Sequence, residues 1–436
     1  MRTVCACLMG VAVTLGCSDE AARTGAADNW PQFRGPTGDG KSPNVGLPLT
    51  WSETENIRWK TPIHGKGWSS PVVWDKQIWL TTATEDGKQR SAVCVDLDSG
   101  KIIHDRVVIE DPDPQFCHPM NSPATPTPVV EPGRVYVHFG SAGTACLDTA
   151  SGKTLWERHD LPCNHHRGAA SSPIVFGNLL IVPYDGYDVQ YIVAFDKLTG
   201  KTAWKRDREI TSYKSTDGDI KKAYGTCTVI EVDGQQQLIA PSAEATIAYD
   251  PRTGDELWRV RHGGMNVSAR PLYDGRQLIL NTGAGGLKML AVDPRGKGDI
   301  TDTKILWKYG QVVPTRPSQI LLGDLLFMVD DRGIGSCLDT RTQKQLWKER
   351  FAGDYSASPV SVDGRIYFFD QAGRTPVIKP GDKYELLADN KLGDGYMASP
   401  AIVGKAFILR SRTHLYRVET KAEDETRAVG GRGKVE

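Results

Sequence analysis

The sequence lacks an excess of charge of either sign. Its 436 residues include 53 basic and 53 acidic side chains, which gives a formal net charge of zero. Proteins that bind nucleic acid by neutralising phosphates carry a basic surplus. We therefore expect no nucleic-acid partner.

Catalytic and cofactor motifs are absent as well. The sequence has no Walker loop, no Gly-x-Ser-x-Gly elbow and no His-Glu-x-x-His pair. It has 9 cysteines, but no two are adjacent, and Cys117-His118 lacks the upstream cysteine of a haem-attachment motif. These absences predict a protein that is not an enzyme and that holds no cofactor or metal.

Long hydrophobic runs are missing too. The apolar stretch of residues 4–16 is too short to cross a bilayer, and it ends at Gly16-Cys17, which is typical of an export signal. Thr14 to Cys17 resembles a bacterial lipobox with its leucine one place late. We expect residues 1–17 to be a lipoprotein-type signal and Cys17 to be a lipid anchor, with plain secretion or a retained anchor as alternatives. In each case the mature protein is exported, to the periplasm or the cell envelope.

What the sequence does contain is a repeated stretch that runs from aspartate to tryptophan. The copy Asp250–Trp258 (DPRTGDELW) has counterparts at 148–156, 196–204 and 339–347, a degenerate copy at 96–104 and a stretched one at 293–307. Each copy is typical of a strand end, a turn in which glycine takes the left-handed position, and a strand that carries a large aromatic side chain. The aspartates recur every 43 to 54 residues, and a period of this size indicates a propeller or a solenoid.

A second repeated element is a small-residue segment, usually ending in proline, that leads into a hairpin. The eight hairpins lie at 69–80, 126–137, 171–182, 226–240, 269–280, 315–328, 356–369 and 398–409. Four short strands per repeat, with no helical periodicity, indicate an antiparallel blade.

The eighth unit lacks its last strand, and residues 56–63 (NIRWKTPI) match the missing piece. The sequence therefore predicts an all-β fold, a single eight-bladed β-propeller of four-stranded antiparallel blades that is closed by the N-terminal strand. We place a tether and surface coil at 18–50, the propeller at 51–419 and a disordered tail at 420–436.

These repeats resemble the family of pyrroloquinoline-quinone-type propeller repeats. That family includes quinoprotein dehydrogenases and the outer-membrane assembly lipoprotein of the BamB type. Quinoproteins hold their cofactor with an adjacent cysteine pair and with acidic and amide calcium ligands, and since this sequence has no such pair, those residues are not carried over. Residues 30–40 (WPQFRGPTGDG) are also similar to the lead-in of large bacterial envelope paralogues of this repeat.

The resemblance implies a non-enzymatic, extracytoplasmic binding or assembly scaffold. Its partners would be envelope or outer-membrane proteins, it would contact the membrane through Cys17, and we expect a monomer. The alternative is a quinoprotein dehydrogenase that acts on alcohols or sugars and uses pyrroloquinoline quinone with calcium.

Two irregular loops carry cysteines and histidines that the repeat does not explain. Cys117 and His118 precede blade 2, and Cys163, His165 and His166 precede blade 3. Because the two loops are expected on the same face of neighbouring blades, a Cys117–Cys163 disulfide is predicted in an oxidising compartment. The same side chains include zinc and copper ligands, but no motif spacing supports a metal site.

The residue just before the repeat proline is small in most blades, but it is Arg270 in blade 5 and Arg316 in blade 6. Two guanidinium groups near one channel mouth could bind a carboxylate or a phosphate, or each could pair with an acidic residue of a neighbouring blade. Tyr224, Tyr355 and Tyr396 lie four residues before the proline or its substitute, and they form either a recognition surface or a wedge between blades. The predicted ligand or partner face comprises His118, His165, His166, Arg167, Tyr224, Arg270, Arg316, Tyr355 and Tyr396.

Overall fold

In the computed structural model, which describes residues 28–209, 218–286 and 288–420, the strands form eight antiparallel sheets of the predicted propeller. The prediction of an all-β, eight-bladed fold is therefore confirmed. Its strands run from Ile57 to Val418, within the predicted bounds of 51–419. The predicted signal with Cys17, the tether up to residue 27 and the tail from residue 421 lie outside the described residues.

The strands of the blades follow in chain order. Blades 1 and 2 consist of Val72–Trp74, Gln77–Ala83, Gln89–Asp96 and Ile102–Glu110, then Val129–Glu131, Arg134–His138, Thr144–Asp148 and Thr154–Arg158. Blades 3 and 4 consist of Ile174–Phe176, Leu179–Asp185, Gln190–Asp196 and Thr202–Asp207, then Thr228–Val232, Gln235–Pro241, Ala245–Tyr249 and Glu256–Arg261.

Blades 5 and 6 consist of Leu272–Tyr273, Leu278–Asn281, Met289–Val292 and Ile305–Tyr309, then Ile320–Leu322, Leu325–Val329, Ile334–Asp339 and Lys344–Arg350. Blade 7 consists of Val360–Val362, Arg365–Tyr367, Arg374–Ile378 and Leu386–Lys391. Three short strands and one 3-10 turn lie in the connections, at Gly264–Met265, Ala284–Gly285, Gly298–Asp299 and Gly218–Lys221. The strand Gly298–Asp299 adds a fifth, parallel strand to the outer edge of blade 4.

Blade 8 closes the ring with the two ends of the chain. It combines Ala401–Val403, Ala406–Arg410 and His414–Val418 with the N-terminal strand Ile57–Pro62, which pairs antiparallel with His414–Val418. The predicted closure is confirmed.

The core consists of layers between neighbouring blades. One layer joins Val72 and Trp79 of blade 1 to Val135 and Val137 of blade 2, and all four are fully buried. The middle strands, such as Gln77–Ala83, are buried over most of their length, whereas outer strands such as Thr154–Arg158 remain mostly exposed. Since each layer is shared, a blade is completed only by its neighbours.

The aspartate-to-tryptophan repeat forms the contact between one blade and the next. Trp156 of blade 2 packs against Gly200, which has a φ of 71° in the turn of blade 3. The indole Nε1 of Trp156 donates a hydrogen bond to the Lys197 carbonyl of the same turn at 3.0 Å. A Cβ at Gly200 would lie 2.7 Å from the Trp156 ring, so glycine serves both the turn and the close approach.

Two faces of the propeller follow from the strand order. We call the rear face the side with the turns between first and second strands and between third and fourth strands, such as Asp75 and Asp250–Gly254. The mouth face carries the loops between second and third strands and the connections from blade to blade, such as residues 111–128.

Residues 30–40, here called the rear segment, cross the axis on the rear face. Trp30 pairs with Val73 of blade 1, and the backbone N–H of Val130 in blade 2 donates to the Pro31 carbonyl at 2.9 Å. On the far side, Arg34 Nη2 donates to the Gln319 carbonyl, just before blade 6, at 2.6 Å. The expectation of a coil on the propeller surface was therefore incomplete, because Arg34 is buried to 1% exposure.

Within the described ranges, no helix is long and apolar enough to cross a membrane.

Candidate functional site

A ring of hydroxyl groups surrounds the axis where the innermost strands begin. In seven blades the residue two positions before the first strand is serine or threonine, and its hydroxyl accepts a hydrogen bond of 2.9 to 3.1 Å from a backbone N–H of the adjacent blade. The seven residues of this hydroxyl ring are Ser70, Thr127, Ser172, Thr226, Ser318, Ser358 and Ser399. These hydrogen bonds connect neighbouring blades at the axis.

Arg270 occupies the eighth position of the ring. Its Nε donates to Thr228 Oγ1 at 3.0 Å, and its Nη1 donates to the carbonyl of Phe33 in the rear segment at 2.6 Å. Arg270 is only 4% exposed. Its assignment to the partner face is therefore wrong, because its guanidinium group holds the rear segment and neither points to solvent nor pairs with an acidic residue.

Arg34 is a second buried arginine beside it. Besides Gln319, its Nη2 donates to the Asp39 carbonyl at 2.6 Å. Burial lowers the pKa of Arg34 to about 9 and that of Arg270 to about 10. Both groups therefore stay charged at neutral pH, bound largely to carbonyl oxygens.

A pocket of about 410 Å³ lies above the hydroxyl ring and opens on the mouth face. Its floor is Phe33 of the rear segment, so the segment closes the channel from behind. The wall directly above the hydroxyl ring, here called the upper tier, consists of the residues two positions before each ring residue. These are Trp68, Thr125, Ala170, Tyr224, Ser268, Arg316, Ser356 and Met397.

The rim of this mouth pocket comes from the blade connections. It includes His118, Met120, Asn121, Arg167, Asn266, Ala284 and Thr315. Of the described residues that line the pocket, none is aspartate or glutamate. The wall therefore combines hydroxyl and amide groups with aromatic and aliphatic surface, which is typical of a binding pocket.

The two arginines of the pocket are both paired with carboxylates. Arg316 Nε lies 3.4 Å from Asp331 Oδ1, and its backbone N–H donates to the same oxygen at 3.0 Å. Asp331 belongs to blade 6, the blade of Arg316 itself and not a neighbouring one, and burial raises the pKa of this carboxyl group. Arg167 Nη2 forms an ion pair with Asp219. Each guanidinium charge is thus already compensated.

Trp68 of the upper tier has two cations near its ring. Lys66 Nζ and Arg412 Cζ each lie 5.7 Å from the centroid of its ring. The backbone N–H of Trp68 donates to the Ala124 carbonyl at 3.0 Å, which fixes the tryptophan against blade 2. The sequence did not single out Lys66 and Arg412, because they follow no repeat pattern.

The predicted tyrosine surface is only partly present. Tyr224 lines the mouth pocket, but Tyr355 is 0% exposed and Tyr396 is 1% exposed. Both buried tyrosines precede the upper tier by one residue, so their side chains point into the layers between blades. Their assignment to a recognition surface is wrong, and the alternative of wedges between blades is confirmed for these two.

The four residues of the predicted face that line the mouth pocket are His118, Arg167, Tyr224 and Arg316. His166 lies beside the pocket, with its ring 5.0 Å from that of Tyr187. His165 is buried away from it, and its Nε2 accepts a hydrogen bond from the Ser141 N–H at 3.1 Å. Burial lowers the pKa of His165 well below its ordinary value, so this ring is neutral.

The predicted Cys117–Cys163 disulfide is not formed, because both residues are free thiols. Cys117 packs against Gly168, whereas Cys163 packs against Gly186. The Sγ of Cys163 lies 3.8 Å from His165 Nδ1. Burial raises the pKa of Cys163 to about 12, which keeps this thiol protonated. The two thiols thus face different neighbours.

A second cavity of about 700 Å³ lies beside the mouth pocket, between loops of blades 1, 2 and 3. It contains both of these cysteines and six carboxylates, those of Glu85, Asp86, Glu110, Asp111, Asp113 and Asp188. In the described part of the chain, no three His, Cys, Asp or Glu side chains are grouped so that they could hold a metal ion.

The lining of the mouth pocket does not fit a calcium-bound quinone. Calcium prefers carboxylate and carbonyl oxygens, whereas the described lining offers two side-chain amides, Asn121 and Asn266, and no carboxylate. The Asn121 amide already donates to the Arg167 carbonyl at 2.9 Å. The described lining therefore lacks the carboxylate ligands that such a group requires.

Solved structures share the fold at low sequence identity. A quinohaemoprotein alcohol dehydrogenase from Comamonas testosteroni is 12% identical with a TM-score of 0.65, over 92% of this chain and 82% of that one. BamB from Moraxella catarrhalis is 13% identical with a TM-score of 0.58, over 83% of this chain and 99% of that one. A europium-containing methanol dehydrogenase is 11% identical with a TM-score of 0.64, over 91% of this chain and 90% of that one.

No curated protein matches the sequence. A family model does, and it covers most of the chain in two stretches, residues 53–208 and 188–421. Both stretches consist of propeller blades with the aspartate-to-tryptophan turns described above. The chain therefore belongs to the family described as outer membrane protein assembly factor BamB.

Proposed function

We propose that this protein is a non-enzymatic, extracytoplasmic binding protein that serves as an assembly scaffold at the cell envelope. The observation that carries the proposal is the mouth pocket, which is closed behind by Phe33 and whose described lining has no carboxylate. Such a wall offers shape, aromatic surface and hydroxyl groups, and its described residues include no carboxylate that could act with His118 in proton transfer. The family name, which refers to outer-membrane assembly, supports envelope proteins as partners.

We further propose that the protein is a monomer, that it needs no cofactor and that it carries a lipid anchor at Cys17. Support for the missing cofactor comes from the sequence, which has no adjacent cysteines, and from the lining, which does not fit a calcium-bound quinone. The competing function is the quinoprotein dehydrogenase. It would be established instead if the purified protein, given pyrroloquinoline quinone and calcium, reduced a dye with alcohols or sugars.

A photo-crosslinking residue at the mouth pocket tests the scaffold directly. Met120 is 47% exposed at the rim, and Leu306, on the outer strand of blade 5, is 52% exposed and serves as the matched control. In intact cells we expect an adduct of defined mass from position 120, identified by mass spectrometry, and no such adduct from position 306. Equal crosslinking from both positions, or none from 120, would count against the mouth as the binding surface.

A further inference from the structure

Two cations lie next to Trp68, a wall residue of the mouth pocket, although neither cation lines the pocket itself. Lys66 and Arg412 flank Trp68 at 5.7 Å each, and within the described residues neither forms an ion pair. The Lys66 ammonium donates only a long hydrogen bond, of 3.4 Å, to the Pro119 carbonyl. On the other walls, Arg167 and Arg316 are paired with carboxylates. Among the described residues, the cations without a carboxylate partner at the edge of the pocket are therefore the two beside Trp68.

This arrangement is complementary to an anionic group attached to an apolar body. A cation above an aromatic face keeps its charge accessible to a further partner, because the ring does not neutralise it. Trp68, Met397 and Phe33 offer apolar surface inside the pocket. A ligand that enters with an apolar side chain would place a neighbouring carboxylate at Lys66 and Arg412.

Exposed apolar surface continues outside the pocket and favours a polypeptide as the ligand. Phe116 is 61% exposed and Met120 is 47% exposed, both in the loop before blade 2 on the mouth face. Phe116 lies 6.3 Å from the His166 ring, measured between centroids, and Met120 also lines the pocket. A small molecule enclosed in 410 Å³ would leave this surface uncovered, whereas a peptide would extend over it. Methionine side chains adapt to such varied partners.

We propose that the mouth pocket binds an acidic peptide segment of its partner, with an apolar side chain above Phe33 and a carboxylate at Lys66 and Arg412. This inference rests on the proposed scaffold function and adds the chemistry of the partner. The carboxylates of the second cavity, such as Asp113 and Asp188, repel a bound acidic segment. They therefore favour an orientation in which its charged part faces blades 8 and 1.

Labelled peptides of matched sequence test the charge requirement. The probe is fluorescein-Gly-Ser-Glu-Glu-Phe-Gly amide, compared by fluorescence anisotropy with peptides that carry Gln-Gln or Lys-Lys in place of Glu-Glu. A further peptide, fluorescein-Gly-Ser-Gln-Gln-Phe with a free carboxyl terminus, separates a terminal from a side-chain carboxylate. We expect the full-length protein to bind the Glu-Glu or the free-terminus peptide about tenfold more tightly than the Gln-Gln amide, with the difference reduced by salt.

Charge reversal in the protein tests the location. The double variant Lys66→Glu/Arg412→Glu should abolish the tenfold preference, and Lys66→Gln/Arg412→Gln should reduce it. The control Arg252→Glu removes a cation that lies 5.7 Å from the Phe176 ring on the rear face, and it should bind like the wild type. An unchanged thermal midpoint shows that each variant is folded.

Three results would overturn the inference. The first is that neither the Glu-Glu nor the free-terminus peptide binds more tightly than the Gln-Gln amide. The second is tighter binding of the Lys-Lys peptide, which would favour the acidic second cavity, and the third is a charge-reversed variant that keeps its preference. If crosslinking from position 120 persists under any of these results, the scaffold function stands and only the acidic chemistry of the partner is rejected.

Discussion

At the scale of single residues, buried histidines make the propeller sensitive to acid. His138 is 1% exposed, and its Nδ1 lies 2.8 Å from Thr144 Oγ1. Burial lowers the pKa of His138, and likewise that of His262, to about 3. An unfolded histidine takes up a proton near pH 6.5, whereas these folded rings do not. Folding is therefore progressively disfavoured as the pH falls from about 6.5 towards 3.

Replacing His138 by asparagine tests this effect. Asparagine keeps a polar group near Thr144 but does not titrate, so His138→Asn should weaken the pH dependence of the unfolding free energy. Between pH 6.5 and 5 the variant should lose about 2 kcal/mol less stability than the wild type, as measured by urea unfolding. Parallel pH profiles for wild type and His138→Asn would contradict the assignment.

Residue positions near the axis were predictable only where the proline marks the register. In blades 1 to 3 the hydroxyl residue directly precedes the proline, but in blade 6 Ser318 follows Pro317, so counting from the proline selects Arg316. Successive side chains of an extended segment point to opposite faces. Tyr355 and Tyr396 lie one residue before the upper tier, so they are buried between blades and do not line the pocket. Counting back from the first strand of each blade would have found the correct positions.

At the scale of elements, the rear segment depends on glycines with a left-handed backbone. Gly38 has a φ of 72°, and a Cβ at this position would overlap the guanidinium group of Arg270. Gly40 has a φ of 78°, and a Cβ there would lie 2.7 Å from Arg34 Nη2. The segment therefore fits over the two buried arginines only with glycine at both positions.

The variant Gly38→Ala should be destabilised by about 3 kcal/mol, because both backbone strain and overlap with Arg270 oppose it. Gly234→Ala is the matched control, since Gly234 has a φ of 80° and no atom within 4 Å of the added Cβ. Backbone strain alone should cost the control about 1 kcal/mol. Chemical denaturation of both variants measures the difference. Equal losses would mean that the rear segment moves away from Arg270 without cost.

The blades were predictable because their signals are local, whereas the path of the rear segment was not. An aspartate, a glycine and a tryptophan within nine residues predict a turn and the contact of Trp156 with Gly200. The burial of Arg34, by contrast, depends on the carbonyl of Gln319, 285 positions away in sequence. Nothing in the residues around Arg34 specifies that partner.

At the scale of the whole molecule, the two chain ends hold the ring closed. Lys60 of the N-terminal strand pairs with Tyr416, and Trp59 Nε1 donates to the Leu97 carbonyl of blade 1 at 2.9 Å. The N-terminal strand therefore completes blade 8 and also contacts blade 1. Without it, the edge of the strand His414–Val418 is open to other chains.

Two truncations separate closure from the rear segment. Removal of residues 1–50 deletes the rear segment but keeps the closing strand, so we expect a monomer with a moderately lower melting temperature. Removal of residues 1–63 also deletes the closing strand, and we expect a much lower melting temperature and self-association in light scattering. A synthetic peptide of residues 51–64 should restore the monomer. Equal stability of the two truncations would show that blade 8 needs no fourth strand.

The floor made by Phe33 gives the propeller the geometry of a cup and not of a tube. A ligand must leave by the opening through which it entered, so one ligand cannot move past another along the axis. A long polymer cannot be threaded through the ring. Only a chain end or the tip of a loop fits, and whatever follows it must spread over the rim. The protein is thus suited to hold a partner at one point while the rest of that partner stays free to move.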